Sequence, residues 1–258
     1  MYQHILLEKK DGAARLTLNR PELYNALNDT LCREIQQALK EMSEDKTIKV
    51  LVLTGSGKGF CSGLDLKSVN IKDASVQEVV QELFNPMVKW IRSLSIPVIS
   101  LVNGPAVGAG CSLALAADMV VASENASFGF SFVKIGLIPD TGISYFLPRL
   151  AGSLKAFELL ALGKTISAAE ALQYGLVTSV VKEEELYETI DQLVAYFQTA
   201  PSIAIGFVKK LVTESSDNSL NAMLDQEAVL QEKAAHTNDF KEGVAAFLEK
   251  RKPDFKGH

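Results

Sequence analysis

Residues 103–142 read NGPAVGAGCSLALAADMVVASENASFGFSFVKIGLIPDTG, and the rest of the 258-residue chain is arranged around them. A glycine-rich bend (Gly104, Gly108, Gly110) opens into an apolar helix expected over 111–117. A strand is expected over 119–122, then a long loop that ends in the turn Ile138-Pro139-Asp140-Thr141-Gly142. Small residues ahead of a helix let a ligand approach the backbone, and the first N–H groups of a helix have no intrahelical acceptor. With Asp140 later in the same stretch, the pattern points to a site that stabilises developing negative charge beside one acid able to move a proton.

Upstream, PVISLV at 97–102 is a buried strand feeding this bend, and KVLVLT at 49–54 is another, followed by a glycine-rich loop over 55–64. Leu27, Leu31, Ile35, Leu39 and Met42 recur at helical spacing, so 28–43 is an amphipathic helix with Asn28 as its cap. Strands at 5–7 and 14–18 flank Asp11-Gly12, a hairpin signal. Apolar positions from Val76 to Leu94 mark a long helix that Pro86 should kink or split. Strands alternating with helices imply an α/β class. The strand–helix unit recurs roughly every fifty residues, which implies a coiled, repetitive arrangement.

Downstream, helices are expected over 154–162, 168–174 and 184–197, with a strand at 176–181. After Pro201 the pattern is helical throughout, over 202–213, 219–235 and 239–250. The chain therefore divides into an α/β body, 1–200, carrying the site, and a helical segment, 201–258. The apolar stripes of that segment must cover either the body or a neighbouring subunit.

A net charge of −5 gives no sign of nucleic-acid binding. Three widely spaced cysteines (Cys32, Cys61, Cys111) and three histidines (His4, His236, His258) form no metal-type cluster and fit a reduced, cytoplasmic compartment. The N-terminus has no signal-peptide pattern. Asp118 interrupts the best apolar run, so no membrane span is expected.

Four features compete with plainer readings. The loop Gly59-Phe60-Cys61-Ser62-Gly63-Leu64-Asp65-Leu66 is either a turn after a strand or a loop whose N–H near Leu64 faces a ligand oxygen; it lacks the phosphate-loop and dinucleotide patterns. Gly108-Ala109-Gly110 serves either close helix–strand packing or an oxyanion. Two such loops, each leaving a buried strand, could clamp one oxygen, at roughly 3–4 kcal/mol of transition-state stabilisation per donor. Asp140 is either a turn or cap aspartate for 143–147 or a proton carrier. Ser112, Ser131 and Ser144 have no His–Asp partners at a recognisable spacing, which sets a serine hydrolase aside. Lys250-Arg251-Lys252, with Lys256, is either a solvated end or a phosphate ligand.

Together these residues resemble the crotonase family, the enoyl-CoA hydratase/isomerase superfamily. The matching motifs are Asn19-Arg20-Pro21 with Asn25-Ala26-Leu27, the Gly59–Leu66 loop, Asn103-Gly104, and Gly108-Ala109-Gly110-Cys111. Ala117-Asp118, Gly136-Leu137-Ile138-Pro139 and Tyr174-Gly175-Leu176-Val177 follow in the family's order. The resemblance implies a spiral of ββα units with C-terminal helices that assemble a homotrimer or a dimer of trimers. It also implies an acyl-coenzyme A thioester substrate, with no metal and no cofactor beyond the coenzyme A of the substrate. The thioester oxygen would meet the N–H groups of Leu64 and Ala109, with Gly110 the adjacent alternative. Ser62, Gly63, Asp65, Leu66 and Phe132 would line the substrate. Arg20 and the backbone of Ala26 and Leu27 would follow the nucleotide, and a neighbour's Lys250 or Lys252 would reach its phosphates.

Family hydratases carry two glutamates, at positions that here are Ser112 and Phe132. Neither can activate water or donate to Cα. The carboxylate stands instead at Asp140, directly after Ile138-Pro139. That pattern is similar to the members that isomerise the ring epoxide of phenylacetyl-CoA in bacterial phenylacetate degradation. It implies an isomerase with Asp140 as the catalytic group; a hydratase or a non-catalytic thioester-binding member are the alternatives.

Overall fold

Asp11 and Gly12 both take positive φ, 50° and 82°. This is the geometry of a two-residue hairpin turn whose twist matches its strands, and it joins β1 (Ile5–Lys10) to antiparallel β2 (Ala13–Leu18). The computed structural model describes residues 2–68 and 75–257; His258, one of the three histidines weighed above, lies outside the described residues. α1 (Asp29–Glu44) follows, its first turn closed by the Asn28 side chain, which accepts the Leu31 N–H at 2.9 Å. Leu31, Cys32, Ile35, Leu39 and Met42 form its buried stripe. β3 (Val50–Gly55) then runs parallel to β2.

The helix expected around Pro86 is split by a widened turn instead of a break. α2 (Val76–Val79) passes into a π-helical turn over Val80–Phe84 and then α3 (Asn85–Ser93). The Asn85 N–H reaches back to the Val80 carbonyl. Pro86 has no N–H for the Glu82 carbonyl, and its ring needs the extra room. The carbonyls of Glu82 and Leu83 take donors from Gln36 Nε2 of α1 at 2.9 and 3.0 Å.

Next come β4 (Val98–Val102), β5 (Ala106–Val107), α4 (Ala109–Leu115), β6 (Met119–Ser123) and β7 (Ser127–Gly129). After a 3-10 turn, Ser131–Ile135, the chain forms α5 (Ile143–Ala151), α6 (Ser153–Ala161), β8 (Thr165–Ser167), α7 (Ala168–Gln173), β9 (Ser179–Val181) and α8 (Leu186–Thr199). The main sheet has the order β1-β2-β3-β4-β6-β9 and is parallel from β2 onward. A smaller sheet has the order β5-β7-β8, and Cys61 extends it by pairing with Ala106 of β5. Successive units thus give one strand to each sheet: β3 with Cys61, β4 with β5, β6 with β7. This is the expected spiral of ββα units.

KVLVLT shows no polar alternation because both faces of the sheet are covered. Leu51 and Leu53 join the core with α1 and α3, while Val50, Val52, Ile99, Leu101 and Val121 pack on Leu186 and Ile190 of α8.

After Pro201 the chain is helical among the described residues: α9 (Ser202–Glu214), α10 (Leu220–Ala235) and α11 (Asn238–Glu249). α9 is anchored by Lys209, 8% exposed, whose Nζ donates to the carbonyls of Ile91 and Ile96 at 2.9 and 3.0 Å and pairs with Asp118 at 2.8 Å. The end of the chain folds back, with the Asp239 carboxylate accepting the N–H groups of Lys256 and Gly257 at 2.7 and 2.9 Å. Gly257 lies against Ser202 and the Lys49 side chain, at the start of β3. The loops that leave β3 and β4 are at the other end of the sheet. No helix of the described residues is long and apolar enough to cross a membrane.

Candidate active site

Two loops meet where β3 and β4 end, and two asparagines lock them. Asn103 Oδ1 accepts the Gly55 N–H at 3.3 Å and its Nδ2 donates to the Gly57 carbonyl at 3.0 Å. Asn25, fully buried, donates from Nδ2 to the carbonyls of Ser56, Gly59 and Phe60 at 3.0, 2.9 and 3.2 Å. The loop then lies beside Leu27 as one rung of parallel sheet: the Leu27 N–H donates to the Gly63 carbonyl at 2.7 Å, and the Asp65 N–H to the Leu27 carbonyl at 3.0 Å. Backbone groups alternate along such a rung. Gly63 and Asp65 therefore face Leu27, and the Leu64 N–H points to the opposite side.

The first turn of α4 stands beside that loop. A Cβ on Gly63 would come within 2.7 Å of the Val107 carbonyl oxygen and 3.4 Å of the Ala109 nitrogen, so only glycine admits this approach. Gly110 packs closer still: a Cβ there would be 2.2 Å from the Cys61 carbonyl oxygen. Ala109 is the first residue of α4, and its N–H is one of the orphan donors of a helix start. Among the described residues neither the Leu64 nor the Ala109 N–H has a protein acceptor.

Both residues line a pocket of 160 Å³ with Leu66, Phe84, Phe132, Leu137 and Asp140. Asp140 is half-buried, and it does not cap α5: Gly142 occupies the cap position and no side chain bonds there. Its Oδ1 accepts the Thr141 hydroxyl at 2.7 Å. Its main-chain carbonyl is held by the Ile143 N–H at 3.1 Å and the Ser112 hydroxyl at 3.3 Å. Loss of hydration pushes the Asp140 carboxyl above the usual aspartate range, and the Thr141 bond opposes that rise. Among the described residues the pocket thus combines two N–H donors without a protein acceptor, apolar walls and one carboxylate of raised proton affinity. A larger cleft of 620 Å³ lies between the end of α1, the turn after α3, and α9. Its buried cation, Lys209, is already engaged by Asp118 and two carbonyls.

Of the residues singled out in the sequence, Ser62, Gly63, Leu64, Leu66, Ala109, Phe132 and Asp140 converge on the pocket. Arg20 is buried and faces inward. Its Nη1 donates to the Ala26 carbonyl at 2.5 Å and its Nη2 pairs with Asp65 at 3.0 Å, the two side chains 10% and 11% exposed. Arg20 and Asp65 brace the loop that presents Leu64, and buried Ala26 and Leu27 belong to the same brace. Gly110 underlies the wall without lining the pocket. Lys250 and Lys252 are exposed and do not line it in their own chain. Arg251 between them is paired with Glu242 and Glu249.

Sequence reasoning passed over Phe84, Lys134 and Leu137 in the wall. They come from the π turn and from the stretch read as loop, where no periodicity marks an inward face. It also passed over the role of Asn25, whose signal was its place directly before the Ala-Leu pair.

The enoyl-CoA hydratase/isomerase family model matches residues 8–258. The chain is 40% identical over 261 residues to 1,2-epoxyphenylacetyl-CoA isomerase of Escherichia coli, with all of both chains covered. It is 36% identical over 257 residues to 2,3-dehydroadipyl-CoA hydratase of the same organism, covering 98% of each. Among solved structures, the enoyl-CoA hydratase of Bacillus anthracis superposes with a TM-score of 0.94 at 34% identity, covering 99% of this chain and 100% of that one.

Proposed function

The chain belongs to the enoyl-CoA hydratase/isomerase (crotonase) family, and from that premise we propose that it isomerises acyl-coenzyme A thioesters, with Asp140 as the proton carrier. The observation that carries this reading is the pocket's composition: among the described residues Asp140 is the one carboxylate lining it, together with Leu64 and Ala109, whose N–H groups have no protein acceptor there. Those two donors receive the thioester oxygen. Charge that develops there as a proton leaves the adjacent carbon is stabilised by donors that need no reorganisation. The Asp140 carboxylate takes that proton and returns it two carbons away, so a 3,4 double bond becomes a 2,3 double bond with no net change in atoms. On a ring epoxide of a phenylacetyl thioester, the same acid assists opening toward the seven-membered oxepin. The 40% identity to an isomerase of that epoxide supports this substrate class.

Isomerisation is favoured over hydration because hydration needs a second group. The positions that carry glutamates in family hydratases are Ser112 and Phe132. The Ser112 hydroxyl is fully buried and directed at the carbonyls of Gly108 and Asp140. Phe132, 7% exposed, contributes an apolar wall that excludes water. Replacing Asp140 with Asn is expected to abolish turnover of a 3-enoyl-CoA while leaving its binding within about twofold of wild type, the pattern of an interaction made only in the transition state. Near-wild-type turnover in that variant would remove Asp140 from the chemistry. A functional assembly as a trimer or a dimer of trimers belongs to the same proposal, with Lys250 or Lys252 of one copy reaching the coenzyme A phosphates on another.

A further inference from the structure

Thr141 sits in a conformation its side chain disfavours. Its φ is 55°, in the left-handed region, and the next residue, Gly142, is there as well at 84°. Left-handed backbone is rarely adopted by a β-branched residue, and where it is, the surroundings hold it in place. Thr141 is 1% exposed, so the hydroxyl gains nothing from water. Its one polar contact among the described residues is the 2.7 Å bond to Asp140 Oδ1. A glycine would relieve the backbone but would leave the carboxylate without that donor.

We infer that Thr141 is the positioning residue for Asp140: its hydroxyl fixes Oδ1, sets the plane of the carboxylate, and leaves Oδ2 for the substrate proton. This rests on the reading of Asp140 as proton carrier. The peptide between the two residues is pinned from the other side, where the Ser112 hydroxyl and the Ile143 N–H hold the Asp140 carbonyl. The carboxylate therefore cannot turn as a unit with its backbone, and the Thr141 bond restrains the rotation that remains. The bond also favours the ionised form, against the burial that disfavours it. Among the described residues Lys134 is the other charged side chain lining the pocket. Around Asp140, Leu64, Phe84, Ala109, Ser112 and Leu137 carry no titratable group.

The test reads Asp140 directly, through carbon-13 NMR of aspartate carboxyl groups, its resonance assigned as the one missing from Asp140→Asn. In Thr141→Val, which keeps the branched shape and removes the donor, the midpoint is expected to rise by about one pH unit. In Thr141→Ser it stays at the wild-type value. The acidic limb of kcat for 3-enoyl-CoA isomerisation moves by the same amount, so turnover below it falls about tenfold while KM stays within about twofold. Thr141→Ala gives the same shift and serves if the Val chain fails to fold. An unchanged midpoint in both Val and Ala variants overturns the inference and leaves the role of Asp140 standing. Wild-type turnover in Asp140→Asn removes that role, and this inference with it, even where the midpoint shifts.

Discussion

Replacing Gly110 with alanine adds one methyl group at the joint between the two loops. That Cβ would lie 2.2 Å from the Cys61 carbonyl oxygen, 2.7 Å from the Cys61 Cβ and 2.8 Å from its carbonyl carbon. The obstacle is mostly backbone, so no side-chain rotation clears it. Restoring ordinary contact moves α4 away from the 59–66 loop by about 1 Å, and a shift of that size in a reacting geometry costs on the order of 10²-fold. The Leu64 and Ala109 N–H groups ride on the two parts that separate, so they stop converging on one oxygen. Overpacking of this kind also destabilises by about 1–3 kcal/mol, a fall in Tm of roughly 2–12 °C for a chain of this size. The assay is kcat/KM for 3-enoyl-CoA isomerisation beside a thermal melt. Gly243→Ala is the control: it too adds a methyl to a glycine inside a helix, but its Cβ meets only the Phe255 ring, at an ordinary 3.4 and 3.6 Å. Gly110→Ala is expected to lose catalysis far beyond its loss of stability. A Gly110→Ala enzyme with undiminished kcat/KM would show that the approach of α4 to Cys61 does not set the site.

Two further variants test the supports. Arg20→Met leaves Asp65 buried without its partner and is expected to cost about 3–5 kcal/mol in denaturant unfolding. Arg20→Met with Asp65→Leu should recover much of that, and a single variant as stable as wild type would contradict the brace. Lys209→Met strips the carbonyls of Ile91 and Ile96 of their donor and leaves Asp118 with Arg92 at 3.4 Å and the Val98 N–H at 2.8 Å. The expected loss is about 2–4 kcal/mol, with faster amide exchange along α9. Unchanged exchange there would show that α9 is anchored elsewhere.

Much of the fold was legible because single residues left few options. Asp11-Gly12 supplied the two positive φ values of a hairpin, Asn28 capped α1, and unbroken apolar runs marked strands covered on both faces. The second sheet was not legible: β5, β7 and β8 are two or three residues long, too short for any periodicity to register. The first turn of α4 was placed two residues late, because Ala109 and Gly110 read as loop. At the site, Asp140 and the two glycine-rich loops stood out by residue type and order. The bond from Arg20 to Asp65, forty-five positions later, was not legible, since a sequence does not mark which carboxylate an arginine closes onto. Lys209 carried no signal either: one lysine in an amphipathic helix looks like any solvated one until the turn after α3 closes over it.

The most direct measurement follows a 3-enoyl-CoA in deuterated, heavy-oxygen water by mass spectrometry, with wild type and Asp140→Asn side by side. The account predicts a conjugated 2-enoyl-CoA that carries no heavy oxygen and is absent in the variant. A 3-hydroxyacyl product labelled with heavy oxygen, or conversion that persists without the Asp140 carboxylate, would contradict it.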